Sequence, residues 1–384
     1  MSTPSPVTTL TGLTAAELPG APELAPRFPL TPNPAPASAA DLDAVMGHLA
    51  FGVAHTDHMA RARWTPEGGW HDRRTEAYGT LTLSPAAAVL HYGQEIFEGL
   101  KAYRHADGSV WTFRPGFNAA RFNASGRRLA MPELPEEDFV ASLAALVAAD
   151  DRWVPGVEGS SLYLRPFMFA SEAFLGVRSA HEFEYLVIAS PVGPYFVNGF
   201  EPVAIWVAQD YHRVGPGGMG AAKTGGNYAA SLLPQHEAYD KGFEQVCFLD
   251  AVTGTHLEEL GGMNVFVVDA DGTVRTPALS GTILEGGTRA AILQLLRDQG
   301  RAVREEDIDL AGLLEQLRSG KVAEVFACGT AAVITPIGRL AGEGFDVTVA
   351  DGRPGATTTE LYTALTDIHY GRREDPHDWM YRLV

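Results

Sequence analysis

Cysteine is almost missing from this chain of 384 residues; Cys247 and Cys328 are its only two. Both stand in apolar, strand-like runs, Val246-Cys247-Phe248-Leu249 and Val325-Phe326-Ala327-Cys328. That excludes a disulfide framework and a thiolate metal set and leaves two small buried hydrophobes. Long apolar runs are missing as well: none approaches the roughly 18 residues that cross a bilayer. No basic stretch followed by an apolar one opens the chain, so no secretory signal is read and a reduced, cytoplasmic setting is expected. Positive charge is short, with 29 Lys and Arg against 47 Asp and Glu and a formal net charge of -18. Nucleic acid is therefore excluded as a partner, since phosphate binding needs clustered basic surface, whereas a small anionic ligand needs only a local basic pocket. The Gly-x-Ser-x-Gly elbow and the Gly-x-x-x-x-Gly-Lys-[Ser/Thr] loop are both absent. His55, Asp57 and His58 are too few to set a metal site, and none is expected.

Lysine is the most informative scarcity. Only Lys101, Lys223, Lys241 and Lys321 occur among the 29 basic residues. Arginine is effectively always charged, whereas a lysine can lose its proton and attack a carbonyl. Lys223 stands in Gly215-Pro216-Gly217-Gly218-Met219-Gly220-Ala221-Ala222-Lys223-Thr224-Gly225-Gly226-Asn227-Tyr228, with no acidic residue between Asp210 and Glu237. Glycine-rich backbone can come close to a ligand and adopt positive φ at little cost. Two readings stand here: a Schiff-base lysine, or a solvated lysine on a flexible loop.

What is present otherwise suits an ordinary globular protein, with 46% apolar and 20% charged residues. The length fits two domains. Residues 1–40 hold nine of the 25 prolines and read as an extended arm. Domains are expected at 41–192 and 201–384, joined by a linker at 193–200 that breaks both periodicities. Helices are predicted at Pro115–Ala130, Glu136–Ala149, Gly286–Gln299, Asp307–Leu317 and Thr357–His369. Tyr228–Tyr239 reads as a helix that Pro234 interrupts. Strands are predicted at Gly79–Leu83, Ser161–Ala170, Phe183–Ser190, Val203–Gln209, Gln245–Leu249, Asn264–Val268, Val322–Ala327, Ala331–Ile334 and Phe345–Val349. Strands and helices mix without strict alternation, so the fold class is α+β, a mixed α/β fold rather than a doubly wound sheet.

If Lys223 holds a carbonyl cofactor, pyridoxal phosphate is the first to consider, and it needs an acid at its ring nitrogen, a ring-hydroxyl partner and a phosphate cradle. Glu258-Glu259 before Gly261-Gly262 offers the acid, though by type alone both glutamates read equally as solvated turn residues. Tyr228 could meet the ring hydroxyl or be a core tyrosine. Gly286-Gly287-Thr288 opens a helix and Gly329-Thr330 follows a strand; either could cradle phosphate, and either could be ordinary capping. Arg121 is one of several arginines that could add a cation.

The ordered motifs resemble those of the branched-chain amino-acid aminotransferases, pyridoxal-phosphate enzymes of fold-type IV. The resemblance runs from about Phe51 to the C-terminus through Asp57-His58-Met59, Leu90-His91-Tyr92-Gly93-Gln94, Phe97-Glu98-Gly99-Leu100-Lys101-Ala102-Tyr103 and Ser161-Leu162-Tyr163-Leu164-Arg165-Pro166. It continues through Lys223-Thr224-Gly225-Gly226-Asn227-Tyr228, Glu259-Leu260-Gly261-Gly262-Met263-Asn264 and Gly329-Thr330-Ala331. It implies a two-domain fold-type IV architecture with the cofactor between the domains, and a homodimer. Lys223 would form the aldimine and shuttle the proton, Glu259 would hold the pyridine nitrogen, and Tyr228 would contact the ring hydroxyl. Arg121, Gly287, Thr288 and Thr330 would cradle the phosphate. Phe51, Tyr92, Phe97, Tyr163, Tyr195 and Ala331 would line the substrate pocket, with Arg165 reaching the glutamate side-chain carboxylate. The implied reaction is reversible, ping-pong amino transfer from leucine, isoleucine or valine to 2-oxoglutarate. A D-amino-acid aminotransferase or an aminodeoxychorismate lyase is the alternative within the same fold. Two departures stand out: Ala332 and Thr335 occupy the positions of a Cys-x-x-Cys pair in mammalian relatives, and Gly262 stands where many relatives carry threonine.

Overall fold

The computed structural model describes residues 10–193 and 200–384. The chain divides into two compact units. Of the segment read as a linker, only Gly193 and Phe200 lie among the described residues.

One unit is built from residues 10–195, 222–225 and 367–384. Its sheet holds β1 (His58–Thr65), β2 (Gly69–Ala77), β3 (Glu95–Phe97), β4 (Leu100–Arg104), β5 (Val110–Phe113), β6 (Ser161–Ala170) and β7 (Phe183–Val192), with the C-terminal strand Met380–Arg382. The order is C-terminal strand, β5, β4, β6, β7, β1, β2, with β3 also on β6. All pairings in this sheet are antiparallel. The helix Glu136–Ala149 buries Phe139, Val140, Leu143, Leu146 and Val147 in the core of this unit, the face its spacing predicts. Part of the segment read as an extended arm is helical, at Ala21–Leu24 and Ala25–Arg27, where proline sits in the first turn and removes no needed donor. Its Leu18, Leu24 and Phe28 are buried in the same core.

Gly79–Leu83, predicted as a strand, carries none. Its alternating Leu81 and Leu83 instead pack on Met59, Phe169 and Leu186 without entering a ladder, so the period of two is satisfied by side chains alone. Sequence reading passed over β1 and β2 because their faces carry arginines. Those charges are paired across strands or to a helix: Arg61 with Glu184 and Glu76, and Arg73 with Asp138.

The other unit is built, among the described residues, from 200–221 and 226–366. Its strands are β8 (Val203–Ala208), β9 (Gln245–Leu249), β10 (Leu257–Leu260), β11 (Asn264–Asp269), β12 (Val274–Thr276), β13 (Val303–Glu305), β14 (Val322–Gly329), β15 (Val333–Gly342) and β16 (Phe345–Thr348). They run in the order β10, β9, β8, β15, β14, β11, β12, β13, and a further β10–β11 pairing closes the first six into a ring. The ring closes at Glu259 opposite Asn264. The helix Leu232–Asp240 contains Pro234 in its first turn, where a missing N–H is tolerated, so the proline starts this helix and does not break it. At the helix Ala356–His369, buried Glu324 accepts from Thr357 N, Thr358 N and the Thr358 hydroxyl, which satisfies the first amides of the helix. Among the described residues, no helix is long and apolar enough to cross a membrane.

The last residue of that helix, His369, lies in the first unit, stacked on Tyr103 at 4.8 Å and edge-on to Phe113 at 4.6 Å. Neither ring nitrogen has a hydrogen-bond partner among the described residues. Burial, with nearby Lys101 adding, pushes the imidazole down to about 3. The folded protein therefore keeps this ring neutral where an unfolded chain would take up a proton, at an ordinary pKa of about 6.5. The stabilisation is complete above that value and is lost as pH falls from there toward 3. At pH 5 the loss is expected to reach about 2 kcal/mol. Urea midpoints of the parent and of His369→Leu at pH 7 and pH 5 check this, and the variant is expected to lose less on acidification.

Candidate active site

In the first unit the site begins with a proline. Pro166 lies within β6 and cannot donate to a neighbouring strand, and on that side the ladder breaks. β3 pairs with Phe167–Phe169 and β4 with Leu162–Leu164. The chain crosses the break at Glu98-Gly99, where Glu98 N donates to Pro166 O at 2.7 Å. Gly99 is required there, because a Cβ would stand 2.2 Å from the Tyr163 hydroxyl. The break turns Glu98 toward the helix Pro115–Arg128 and buries it completely.

There Arg121 Nε and Nη2 donate to Glu98 Oε1 and Oε2 at 2.7 and 2.8 Å, and Asn118 Nδ2 donates to Oε2 at 2.7 Å. Burial alone would raise the Glu98 carboxyl, but Arg121, with Lys223 and Asn118 adding, holds it below the usual carboxylate range. One turn beyond Arg121 on the same helix, Ser125 Oγ accepts from Lys223 N at 2.8 Å. Lys223 O in turn accepts from Phe97 N at 3.0 Å. The lysine is thus held by its main chain, and its Nζ lies 4.7 Å from the centre of the Phe97 ring.

The same ring carries Arg165, whose guanidinium is 4.8 Å from its centre. Arg165 Nη2 donates to the Tyr163 hydroxyl at 2.9 Å, and Tyr163 meets Phe51 at 4.9 Å. Phe51, Phe97, Tyr163, Arg165 and Lys223 therefore form one contact chain. The hydroxyl of Tyr92 donates to Leu175 O instead. Tyr195 lies outside the described residues.

In the second unit Glu259 is buried at the ring closure. Its Oε1 accepts from Leu284 N at 2.9 Å and pairs with Arg213 Nη1 at 3.0 Å. Arg213 is itself buried and also donates to Thr282 O at 2.9 Å. Glu258 takes a different partner, the hydroxyl of Thr282, and burial pushes its carboxyl up. Neither glutamate is a solvated turn residue. Of the two, Glu259 is the one in direct contact with a buried cation, which favours a standing negative charge.

Asn264, opposite Glu259, donates to Leu284 O at 3.0 Å. Two residues on, Gly286 precedes the helix Gly287–Asp298 and has no side-chain cap to offer. A Cβ at Gly286 would stand 2.2 Å from Asn264 Oδ1, so glycine is what lets the helix start come this near. Thr288 is buried in the first turn. The turn Thr330–Ala332 is as tight: it closes on Val333 at φ 61°, a strained conformation for a β-branched residue and one that clusters at functional sites. A Cβ on Gly329 would lie 3.2 Å from Met263, and one on Gly262 3.7 Å from the Tyr228 ring. Glu259, Tyr228, the Gly287 helix start and the Thr330 turn are thus neighbours around β10 and β11.

Each unit by itself holds groups of the kind pyridoxal phosphate needs: in the first a main-chain-anchored lysine, and in the second a buried carboxylate backed by arginine and a helix N-terminus with no side-chain cap. Glu98, Ser125, Arg213 and Asn264 were missed from the sequence. Glu98 and Asn264 had a signal there, their places in the Phe97-Glu98-Gly99 and Glu259-Leu260-Gly261-Gly262-Met263-Asn264 motifs.

Residues 95–340 match the family described as Amino-transferase class IV. The chain is 51% identical over 360 residues to the branched-chain-amino-acid aminotransferase of Mycolicibacterium smegmatis, covering 93% of this chain and 98% of the relative. It is 45% identical over 332 residues to branched-chain-amino-acid transaminase 1 of Bacillus subtilis, covering 86% and 93%. Among solved structures it resembles the branched-chain amino acid aminotransferase of Escherichia coli, with a TM-score of 0.70 and 27% identity over 85% of this chain and 100% of that one. The T.th. branched-chain amino acid aminotransferase complexed with N-(5'-phosphopyridoxyl)-L-glutamate matches at a TM-score of 0.68 and 26% identity, over 85% and 99%.

Proposed function

From a chain that belongs to the branched-chain-amino-acid aminotransferases, within the class IV amino-transferases, we infer reversible amino transfer from leucine, isoleucine or valine to 2-oxoglutarate. The observation that carries this reading is the main-chain-anchored Lys223, with its amine over Phe97 beside Arg165 and Tyr163. Pyridoxal phosphate, when bound, supplies the electron sink that lets the substrate Cα–H bond ionise. Lys223 would hold the cofactor covalently, and its amine would move the proton between the substrate Cα and cofactor C4′. Glu259, paired with Arg213, would hold the proton on the pyridine nitrogen. Tyr228 bonds the ring hydroxyl. In the second unit the Gly287 amide, Thr288 and Thr330 would cradle the phosphate; in the first, Arg121 would add a cation, and Glu98 fixes the plane of its guanidinium.

Phe51, Phe97 and Tyr163 would offer an apolar wall for an aliphatic side chain, and the family resemblance adds Tyr92, Tyr195 and Ala331 to the residues read as substrate-binding. Arg165 offers one cation for the second carboxylate of glutamate, so the same pocket serves both half-reactions in turn. The adduct named for the T.th. structure joins a phosphopyridoxyl group to glutamate, which supports this pairing of cofactor and substrate. The enzyme is read as a cytoplasmic homodimer.

The test is an absorbance spectrum of the purified protein, taken before and after L-leucine and again after 2-oxoglutarate. The cofactor band near the visible edge is expected to disappear with leucine and to return with the oxo acid. Absence of the band, or faster turnover of D-alanine than of L-leucine, overturns the reading.

A further inference from the structure

We propose that Glu95 is a positioning residue for Lys223: its carboxylate holds the segment Ala222–Gly225 against β3 and so sets where the lysine amine stands. Glu95 opens β3, two residues before Phe97, so both side chains leave the same face of that strand. Its Oε1 accepts from Gly225 N and from the Thr224 hydroxyl, the latter at 3.4 Å. Both donors directly follow Lys223 in the chain.

Two other bonds fix Lys223 itself, from its amide to Ser125 Oγ at 2.8 Å and from Phe97 N to its carbonyl at 3.0 Å. Those two share one residue; Glu95 adds attachment at the two residues that follow it. Phe97, which receives the Lys223 carbonyl on its amide, also carries the lysine amine 4.7 Å from its ring centre, so a pivot of the segment moves the amine relative to that ring.

Gly225 is fitted to this contact. A Cβ there would stand 2.4 Å from Glu95 Oε1, so only glycine lets the carboxylate reach the amide. Burial raises the Glu95 carboxyl, against the opposing pull of the Gly225 and Thr224 bonds and of Arg165. A half-buried carboxylate loses its amide donors at a cost, which gives the attachment its stiffness. The catalytic consequence rests on the reading of Lys223 as the cofactor-binding lysine, whereas the attachment itself does not.

The experiment is amide hydrogen exchange on the full-length protein, followed in the peptide spanning residues 219–230, with and without bound cofactor. Glu95→Ala is expected to speed exchange at Gly225 by about tenfold, the effect of losing one buried hydrogen bond. Glu95→Gln keeps an oxygen that accepts from Gly225 and is expected to stay near the parent. In the cofactor-loaded enzyme Glu95→Ala is expected to shift the pH midpoint of the cofactor absorbance. It should lower kcat by about tenfold while KM for leucine moves by less than about threefold, since the amine and not the side-chain pocket is displaced. Parent-like exchange in a folded Glu95→Ala overturns the proposal. If that variant does not melt cooperatively, Gly225→Ala, whose Cβ expels the carboxylate, must show the same faster exchange, and parent-like exchange there overturns it too. A parent protein that fails to transaminate leucine sinks the proposed function but leaves the exchange result standing, so the two failures are distinguishable.

Discussion

Lys223→Ala lowers leucine transamination by about a thousandfold or more, the loss expected when one group both binds the cofactor and moves the proton. The fold is expected to survive. The hydrogen bonds described at residue 223 come from its amide and its carbonyl, to Ser125 and from Phe97, and an alanine keeps both. What is lost includes the amine over the Phe97 ring and its charge near Glu98. Lys223→Arg sharpens the test, since it keeps a cation there but supplies no practical nucleophile. Steady-state rates, with the cofactor content left after gel filtration, check both variants. Turnover within tenfold of the parent in Lys223→Ala removes this lysine from the chemistry.

Glu98→Ala is expected to cost about 3–5 kcal/mol of stability, the range for breaking one side of a buried ion pair. The reason lies in what remains. Arg121 and Asn118 are both buried, and each directs a donor at the missing carboxylate. No replacement acceptor follows from an alanine, and water must enter or the arginine must move. Glu98→Gln restores an acceptor for Asn118 without the charge and is expected to fall between. Adding Arg121→Met to Glu98→Ala is expected to recover part of the loss, because the unpaired charge goes with it. Urea unfolding of the cofactor-free protein measures all of these. A cost below about 1 kcal/mol in Glu98→Ala shows that the pair is solvated, as at a protein surface.

How legible the site was depends on whether its partners are near in sequence. Lys223 was visible because lysine is scarce and its glycines are local. Glu259 was visible only as half of a pair. What separates it from Glu258 is Arg213, which reaches it through the closure of the ring at Asn264 and the path of the loop before Lys223. No period or motif in one sequence encodes that meeting. Glu98 depends in the same way on a distant cause, the proline that breaks the β6 ladder. The helix Glu136–Ala149 was legible to its ends because Phe139, Leu143, Leu146 and Val147 recur at helical spacing, although the structure buries every residue from Asp138 to Val147. β1 and β2 were not, because their arginines are satisfied by carboxylates on other elements, and a charge looks solvated until its partner is known. Gly79–Leu83 failed in the opposite sense, with the right alternation and no neighbouring strand to accept it.

The C-terminal strand has a consequence for how the protein is made. Met380–Arg382 forms an edge of a sheet whose other strands all lie before residue 193, and Arg114 N, Val110 N and the Tyr381 hydroxyl tie this tail to early chain segments. The unit built from residues 10–195 therefore cannot complete its sheet until Met380–Arg382 has left the ribosome. Synthesis reaches Lys223 well before that tail is free, so the segment that carries the lysine must wait, or bind to an unfinished surface. A chain cut short near residue 366 would contain every residue assigned to the chemistry. It would nonetheless present an open strand edge at β5, the kind of edge that recruits another chain.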